Sequence, residues 1–344
     1  MNNKKGIGDL SSRIITQEVM QNEIIVSILC ATYNQVSYIK SALEGFLHQE
    51  TEFAYEIIVH DDASTDGTTN IVKEYAEKYP EIIRPLYEEE NQYSKGNNIY
   101  QLMYSVMRGQ YIAICEGDDY WCDVHKLQKQ VDIMRKYPNV VACVHNAWKL
   151  DCIYNRKTKF SKREESGVLS VEEIIHWDDQ GYATASLLLK REWLFIPQEF
   201  QMEGVGDYPR AIYMALHGNI YYIGECMSVY RCNAEGSWTN NMARNMQKFR
   251  FYIKDMNRML RYIDDYSDGK YHSVIADKIY TNSYWLVYKE IYSGSQRGEY
   301  ADSWKMLTKF DREKVLMTAH LRPFIDQCSL FKKKLLNRVY RVKG

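Results

Sequence analysis

Three polar segments in the first half of the chain each follow an apolar run. They are Ala31-Thr32-Tyr33-Asn34, Asp61-Asp62-Ala63-Ser64-Thr65-Asp66-Gly67 and Glu116-Gly117-Asp118-Asp119. Carboxylates held close together repel one another unless a cation or hydrogen-bond donors offset their charge. A Mg²⁺ or Mn²⁺ ion bound by one or two carboxylates and by phosphate oxygens would do so. If the fold brings the segments together, they predict a metal-assisted site for a nucleotide diphosphate.

The residues around these segments alternate between apolar runs and amphipathic stretches, which is typical of an α/β fold with a mainly parallel sheet. The apolar runs predict strands at Ile25–Ala31, Glu56–His60, Ile82–Tyr87, Gln110–Cys115 and Val140–His145. Apolar residues three and four apart predict helices at Val36–Gln49, Thr68–Tyr79, Ile99–Arg108 and His125–Tyr137. Ligands of such sheets bind outside the carboxyl ends of the strands, where the three polar segments are expected.

The second half of the chain follows a looser pattern. Lys149–Ser166 is polar and predicts a surface connection or an irregular ribbon, whereas Thr184–Leu189 predicts a buried strand. A helix is expected to begin at Asp207 and to end at Leu216, before a strand at Ile220–Ile223. Further helices are predicted at Phe249–Ile263, Tyr271–Ile291, Tyr300–Thr308 and Leu330–Val342. We therefore expect an N-terminal extension at 1–22, an α/β domain at 23–238 and a helical C-terminal region at 239–344.

Composition narrows the classes of function. The 344 residues include 44 Lys and Arg against 45 Asp and Glu, so the chain lacks the basic excess of a dedicated nucleic-acid binder. No apolar stretch approaches the roughly 20 residues of a membrane span, so we expect a cytoplasmic protein. The eight cysteines show no CxxC pair and no histidine at zinc spacing, so they predict buried, reduced thiols.

The run Val26–Asn34, the segment Asp61–Thr68 and the segment Glu116–Asp119, in this order and spacing, resemble the family 2 glycosyltransferases. The resemblance covers about Glu23–Trp238. It implies a GT-A fold, in which a mostly parallel nucleotide-binding sheet is flanked by helices, and a nucleotide-sugar donor.

The resemblance also implies roles for individual residues. Asp118 would hold a divalent metal, Mn²⁺ or Mg²⁺, with Asp119 as a second possible ligand. The nucleotide would be bound by the residues that match the family's donor-binding positions, namely Ala31, Thr32, Tyr33, Asn34, Asp62, Asn98, Glu116 and Gly117. Glu116 replaces the first Asp of the family's metal motif, and we expect it nearer the ribose or a metal-bound water.

The same comparison implies a general base about ninety residues beyond the metal motif, where this chain has Gly206-Asp207. Asp207 is therefore the predicted base, and a position at a helix N-terminus would favour its ionised form. Arg231 is expected to pair with the diphosphate. Trp121 and Trp238 are expected near the acceptor or near the segment that closes over the diphosphate.

We predict an inverting, metal-dependent glycosyltransferase that moves a sugar, from a UDP-sugar or similar donor, to a hydroxyl of a saccharide or lipid-linked acceptor. The resemblance implies a role in assembly of a bacterial surface polysaccharide. Two alternatives stay open: a catalytically idle sugar- or nucleotide-binding scaffold of the same fold, and a sugar-phosphate nucleotidyltransferase. The basic amphipathic segment Phe331–Lys343 predicts contact with an anionic membrane at its inner face. The donor sugar, the acceptor and the oligomeric state stay open.

Overall fold

The computed structural model describes residues 23–177, 181–233 and 245–318. The chain divides into two compact units. The first contains residues 1–197 and 206–235, and the second contains residues 198–205 and 236–344. The predicted boundary at 238 and the predicted helix Leu330–Val342 lie outside the described residues.

The described part of the first unit forms a ten-stranded sheet. Its strands are β1 Ile24–Thr32, β2 Ala54–Asp61, β3 Ile83–Tyr87, β4 Tyr111–Ile114, β5 Tyr120–Trp121, β6 Val140–Asp151, β7 Arg156–Lys159, β8 Gly167–Leu169, β9 Leu188–Lys190 and β10 Asn219–Cys232. The spatial order is β3-β2-β1-β4-β9-β6-β10-β5, with β7 beside β6 and β8 beside β10. Strands β3, β2, β1 and β4 run parallel, as do β6 and β10, while the remaining pairs are antiparallel.

The parallel half of the sheet is covered on both faces, which explains its nearly continuous apolar sequence. Every residue of β2 is buried, and β1 is buried over most of its length. The helices of this unit are α1 Ile39–Leu47, α2 Thr68–Lys78, α3 Ile99–Tyr104, α4 Lys126–Lys136, α5 Val171–His176 and α6 Asp207–His217. Helix α1 buries Ile39, Leu43 and Phe46 in the same core as Ile28 and Ile57 of the sheet. Full burial of each such side chain contributes about 1.5–3 kcal/mol.

One buried acidic residue ties three of these strands together. The Glu56 carboxylate accepts hydrogen bonds from Ser27 Oγ at 2.7 Å and from the Arg108 backbone N at 2.6 Å. Burial raises the pKa of Glu56, but the hydrogen bonds from Ser27 and Arg108 outweigh it, so the pKa is lowered overall. Ser27 Oγ also accepts a hydrogen bond from the Gly109 backbone N at 2.8 Å, which anchors the start of β4 to β1.

The second unit is helical, as predicted for the C-terminal region. Its helices are α7 Met246–Tyr266, α8 His272–Tyr292 and α9 Ala301–Met306, and residues 309–318 are also helical. Helix α7 buries Ile253, Leu260 and Ile263 at helical spacing. The buried Glu290 of α8 pairs with Arg250 of α7, whose Nε lies 2.5 Å from the carboxylate. No helix among the described residues is long and apolar enough to cross a membrane.

The structure departs from the predicted elements in the second half of the sheet. The predicted strand Thr184–Leu189 is a 3-10 turn at Thr184–Ser186 followed by the short antiparallel β9. A short buried apolar run has the same sequence pattern in a strand and in a helical turn, so the pattern could not distinguish them. The predicted strand Ile220–Ile223 is only the first part of β10, which continues because its polar residues still pair with β6.

The cysteine prediction is confirmed for some of the thiols and wrong for others. Cys30, Cys115 and Cys143 are buried and free, whereas Cys122 and Cys152 are free but exposed. The exposed pair lies at strand ends, where an apolar neighbourhood in sequence does not imply burial.

Candidate active site

The ends of β1, β2 and β4 meet at one edge of the sheet. The backbone N of Asp62 donates to the carbonyl of Thr32 at 3.0 Å, and the backbone N of Gly117 donates to the carbonyl of Ala31 at 3.0 Å. A Cβ on Gly117 would stand 2.8 Å from Thr32 Oγ1, so only glycine fits this approach. The three polar segments therefore lie side by side, as their strand-end positions predicted.

The segment after β1 is locked to the segment after β2. Asn34 has a φ of 51°, and its side-chain oxygen accepts a hydrogen bond from the Thr65 backbone N at 2.8 Å. Thr32 is buried, and its hydroxyl donates to Gln35 Oε1 at 2.8 Å. Tyr33 is 47% exposed, so its side chain is open to a ligand.

Two predicted nucleotide-binding side chains hold the backbone of neighbouring segments. The buried Asp62 carboxylate accepts hydrogen bonds from the backbone N of Gln92 at 2.6 Å and of Tyr93 at 3.1 Å. The Asn98 side chain caps helix α3 by accepting a hydrogen bond from the Tyr100 backbone N at 3.0 Å. Asp62 keeps unused lone pairs, whereas Asn98 acts as an ordinary N-cap here.

Two other carboxylates act on Glu116, which lies in the acidic segment after β4. Glu116 is open to solvent but has protein on most sides, and burial together with the charges of Asp118 and Asp207 raises its pKa to about 8. Burial raises the pKa of Asp118 as well, although the Arg231 charge opposes the shift. Asp207 lies about ninety residues further along the chain than Glu116, so the fold has gathered these groups.

Asp119, the second predicted metal ligand, is fastened to β10. Its side chain is only 2% exposed, and Oδ1 accepts a hydrogen bond from the Arg231 backbone N at 2.8 Å. Arg231 is 112 residues away in sequence. Asp118 is the more exposed of the two carboxylates, and a metal-binding role for either stays a prediction.

Arg231 lies beside the acidic segment. Its guanidinium carbon lies 5.1 Å from the ring centre of Tyr38 and 4.6 Å from that of Tyr120. Nη1 also donates a hydrogen bond to the carbonyl of Asp118. Stacking between two rings holds the cation next to the carboxylates, which places positive charge where a diphosphate would need it.

Asp207 is the first residue of α6, and two side chains contact its carboxylate. Thr184 Oγ1 donates to Oδ2 at 2.6 Å, and Arg210 Nη1 lies 3.5 Å from Oδ1. Sequence analysis found neither partner. Arg210 could have been suspected from its position three residues after Asp207 on a helix. Thr184 is 23 residues away, and nothing local signals the contact.

The structure contradicts the expected role of Trp121 near an acceptor. The side chain is 3% exposed, and Nε1 donates to the carbonyl of Ala185 at 2.8 Å. The ring packs edge to face on Phe46, with centroids 4.8 Å apart. Strand β5 alternates its faces, and Trp121 takes the inward one. Trp238 lies outside the described residues.

The donor atoms present fit a nucleotide-bound divalent ion. Among residues 23–177, 181–233 and 245–318, no group of three or more His, Cys, Asp and Glu side chains is arranged to hold a metal. Mg²⁺ or Mn²⁺ in nucleotide sites needs only one or two carboxylates, with phosphate and water supplying the remaining oxygens. Asp118, with Glu116 next to it, provides that set.

The acidic segment thus lies beyond the parallel strands of a mixed sheet, and the helix-borne Asp207 acts on it. Residues 27–190 match the family model described as Glycosyl transferase family 2. The chain carries a family 2 glycosyltransferase domain with the GT-A fold.

The sequence is similar to the uncharacterized protein Rv1520 of Mycobacterium tuberculosis, with 35% identity over 216 residues, which is 62% of this chain and 60% of that protein. The match therefore spans less than two thirds of that relative. The fold is similar to the mannosyltransferase PcManGT of Pyrobaculum calidifontis in complex with GDP-Man and Mn²⁺. The TM-score is 0.53 at 18% identity, covering 88% of this chain and 86% of that one.

A second similar fold is residues 1–349 of TarS from S. aureus in complex with UDP-GlcNAc. The TM-score is 0.51 at 14% identity, covering 77% of this chain and 81% of that one. These likenesses confirm the predicted fold, and the family match confirms a glycosyltransferase domain.

Proposed function

We propose that the protein transfers a sugar, with inversion, from a nucleotide-diphosphate donor to an acceptor hydroxyl, and that Asp207 is the general base. One observation supports the proposal: the charges of Asp118 and Asp207 both act on Glu116, although Asp207 starts helix α6 about ninety residues further along the chain. A displacement needs a group for the leaving diphosphate and a base for the attacking hydroxyl, and this arrangement supplies both.

In the proposed reaction, the acceptor oxygen forms a bond to the anomeric carbon while the bond from that carbon to the diphosphate oxygen breaks. The proton of the acceptor hydroxyl passes to the Asp207 carboxylate. Thr184 orients the carboxylate through its 2.6 Å hydrogen bond.

On the donor side, Asp118 would hold a divalent ion, with Asp119 as a second possible ligand, and that ion would neutralise the charge of the departing diphosphate. Glu116 would lie near the ribose or a metal-bound water. Arg231 adds a second positive charge from between Tyr38 and Tyr120. The segment Ala31–Asn34 and Asp62 would line the base and ribose. A UDP-sugar is the proposed donor, and the neighbour TarS was solved with UDP-GlcNAc.

The first experiment is a thermal-shift screen of nucleotide-sugars with MnCl₂. A ligand that binds only the folded state raises the melting temperature. We expect a rise with one class of nucleotide-sugar and a smaller one when EDTA replaces Mn²⁺. If no nucleotide-sugar raises the melting temperature, the proposal is wrong.

The second experiment separates an enzyme from a binding scaffold. Hydrolysis of the best donor should depend on Mn²⁺ and fall at least about 100-fold in Asp207→Asn. The variant should still bind the nucleotide. Asp132→Asn, in α4, serves as the matched control because Asp132 only accepts a hydrogen bond from Gln128 on the surface. Equal hydrolysis by Asp207→Asn would support the idle scaffold, and transfer of a nucleotidyl group would support the nucleotidyltransferase.

The predicted acceptor and location belong to the same proposal. A saccharide or lipid-linked acceptor, a role in surface-polysaccharide assembly and a cytoplasmic protein at the inner membrane face are inferred from the family resemblance and from the basic segment 331–343. That segment lies outside the described residues. Its contact with anionic lipid is tested directly below.

A further inference from the structure

Arg210 carries a charge that the described structure leaves without a full partner. The residue is 7% exposed, yet its Nε and Nη1 have no hydrogen-bond partner among the described residues. The Asp207 carboxylate forms an ion pair with Arg210, but Oδ1 lies 3.5 Å from Nη1, longer than the roughly 2.7–2.9 Å of a strong charged hydrogen bond. A guanidinium removed from water without hydrogen bonds is costly, and such groups are normally satisfied.

A residue without a side chain lies beside this guanidinium. Among the described residues, a Cβ placed on Gly206 would have only Arg210 Nη2 within 4 Å beyond its chain neighbours, at 3.2 Å. The absence of a side chain at Gly206 therefore leaves room for a ligand atom next to the cation. Tyr100 lies on another side, with its ring centre 5.9 Å from the guanidinium carbon.

The charges around Arg210 select the kind of ligand. Glu116 and Asp207 are both acidic and both act on Tyr100, as does Arg210. A phosphate dianion would meet more repulsion from these two acids than a monoanionic carboxylate would, and a carboxylate also matches the planar guanidinium in shape.

We propose that Arg210 binds the carboxylate of a uronic acid, so that the site prefers an acidic sugar over its neutral counterpart. The inference deepens the proposed function and rests on it for the identity of the site. The carboxylate belongs either to the transferred sugar of the donor or to the acceptor, and both sources present the same group to Arg210.

The test compares two matched pairs of ligands by isothermal titration calorimetry. The donor arm uses UDP-glucuronate and UDP-glucose with Mn²⁺, and the acceptor arm uses the methyl glycosides of glucuronate and glucose without nucleotide. In one arm we expect the wild-type protein to bind the uronate at least about tenfold more tightly. No preference in either arm would overturn the inference.

Three variants make the result specific. Arg210→Met should bring the ratio of the two dissociation constants close to one, and Arg210→Lys should keep part of the preference. Gly206→Glu should also abolish the preference, because its carboxylate would occupy the space beside the guanidinium. Arg163→Met, which breaks an ion pair with Glu173, is the control and should keep the wild-type ratio.

Other outcomes count against the inference. If Arg210→Met weakens both members of a pair equally, Arg210 serves the diphosphate or the fold and not a uronate. A preference that survives in both Arg210→Met and Gly206→Glu also overturns it. Failure of every UDP-sugar to bind would contradict the proposed function instead, since the glycoside arm needs no nucleotide.

Discussion

At the scale of single residues, Asp207 takes its orientation from one hydroxyl group. Thr184→Val removes the hydrogen bond to Oδ2 while keeping the side-chain shape, so the carboxylate loses its 2.6 Å partner. We expect the transfer rate to fall by about 10- to 100-fold, because misorientation of a catalytic group costs rate more than binding. Steady-state kinetics would measure the transfer rate, and the dissociation constant of the nucleotide would show whether binding is unchanged. Thr184→Ser keeps the hydroxyl and should stay close to wild type; equal losses in both variants would refute the orienting role.

Lys126 allows a second prediction at this scale. The side chain is fully buried, its Nζ donates to Gln130 Oε1 at 2.7 Å, and burial lowers its pKa to about 7. Below pH 7 the lysine is charged in both the folded and the unfolded state. Between about pH 7 and 10 only the unfolded state keeps the proton, so folding stability gains up to about 1 kcal/mol per pH unit.

Lys126→Met removes the titrating group and should remove this gain. The free energy of unfolding, measured by urea denaturation of both proteins at pH 7, 8 and 9, gives the difference directly. Lys136→Met, at the end of the same helix, is a control that should leave the pH dependence unchanged. A constant difference between wild type and Lys126→Met over this range would contradict the prediction.

At the scale of elements, the sheet edge that carries the three polar segments depends on the close packing of β4 against β1. A Cβ on Gly109 would stand 2.3 Å from the backbone N of Ser27, and backbone cannot move aside as a flexible side chain can. We expect Gly109→Ala to lower the free energy of unfolding by about 1–3 kcal/mol or more. Urea denaturation measures the loss. Gly298→Ala is the control, because a Cβ there meets nothing within 4 Å, and a similar loss in both would argue against the close approach.

At the scale of the whole molecule, the proposed membrane contact rests on charge. Segment 331–343 carries six Lys and Arg residues, and each basic residue near an anionic surface contributes about 1 kcal/mol. We expect the intact protein to sediment with phosphatidylglycerol vesicles and not with phosphatidylcholine vesicles, and less so at high salt. Replacing Lys332, Lys333 and Lys334 with glutamine should weaken binding by about two orders of magnitude. If the intact protein does not sediment with anionic vesicles, the proposed membrane contact is wrong.

The sequence by itself determined where the polar segments lie in the fold. Apolar runs of strand length and helices at three- and four-residue spacing predicted β1, β2, β3 and β4 with their crossover helices. Parallel strands put their carboxyl ends at one edge, so the meeting of Thr32, Asp62 and Gly117 followed from the pattern alone. Asp207 at the start of a helix was equally readable, because capping chemistry is local.

Only the tertiary structure decided which polar side chains point into the site. Asp118 and Asp119 are neighbours of the same type, yet Asp119 turns inward because β10 offers it the backbone N of Arg231, 112 residues away. Trp121 is enclosed for a similar reason, since Ala185 supplies the carbonyl for its indole. The contact between Thr184 and Asp207 also joins distant parts of the chain. Local periodicity predicts which side of a helix or strand is buried. Whether a polar or charged side chain finds a hydrogen-bond partner depends on how distant segments pack together.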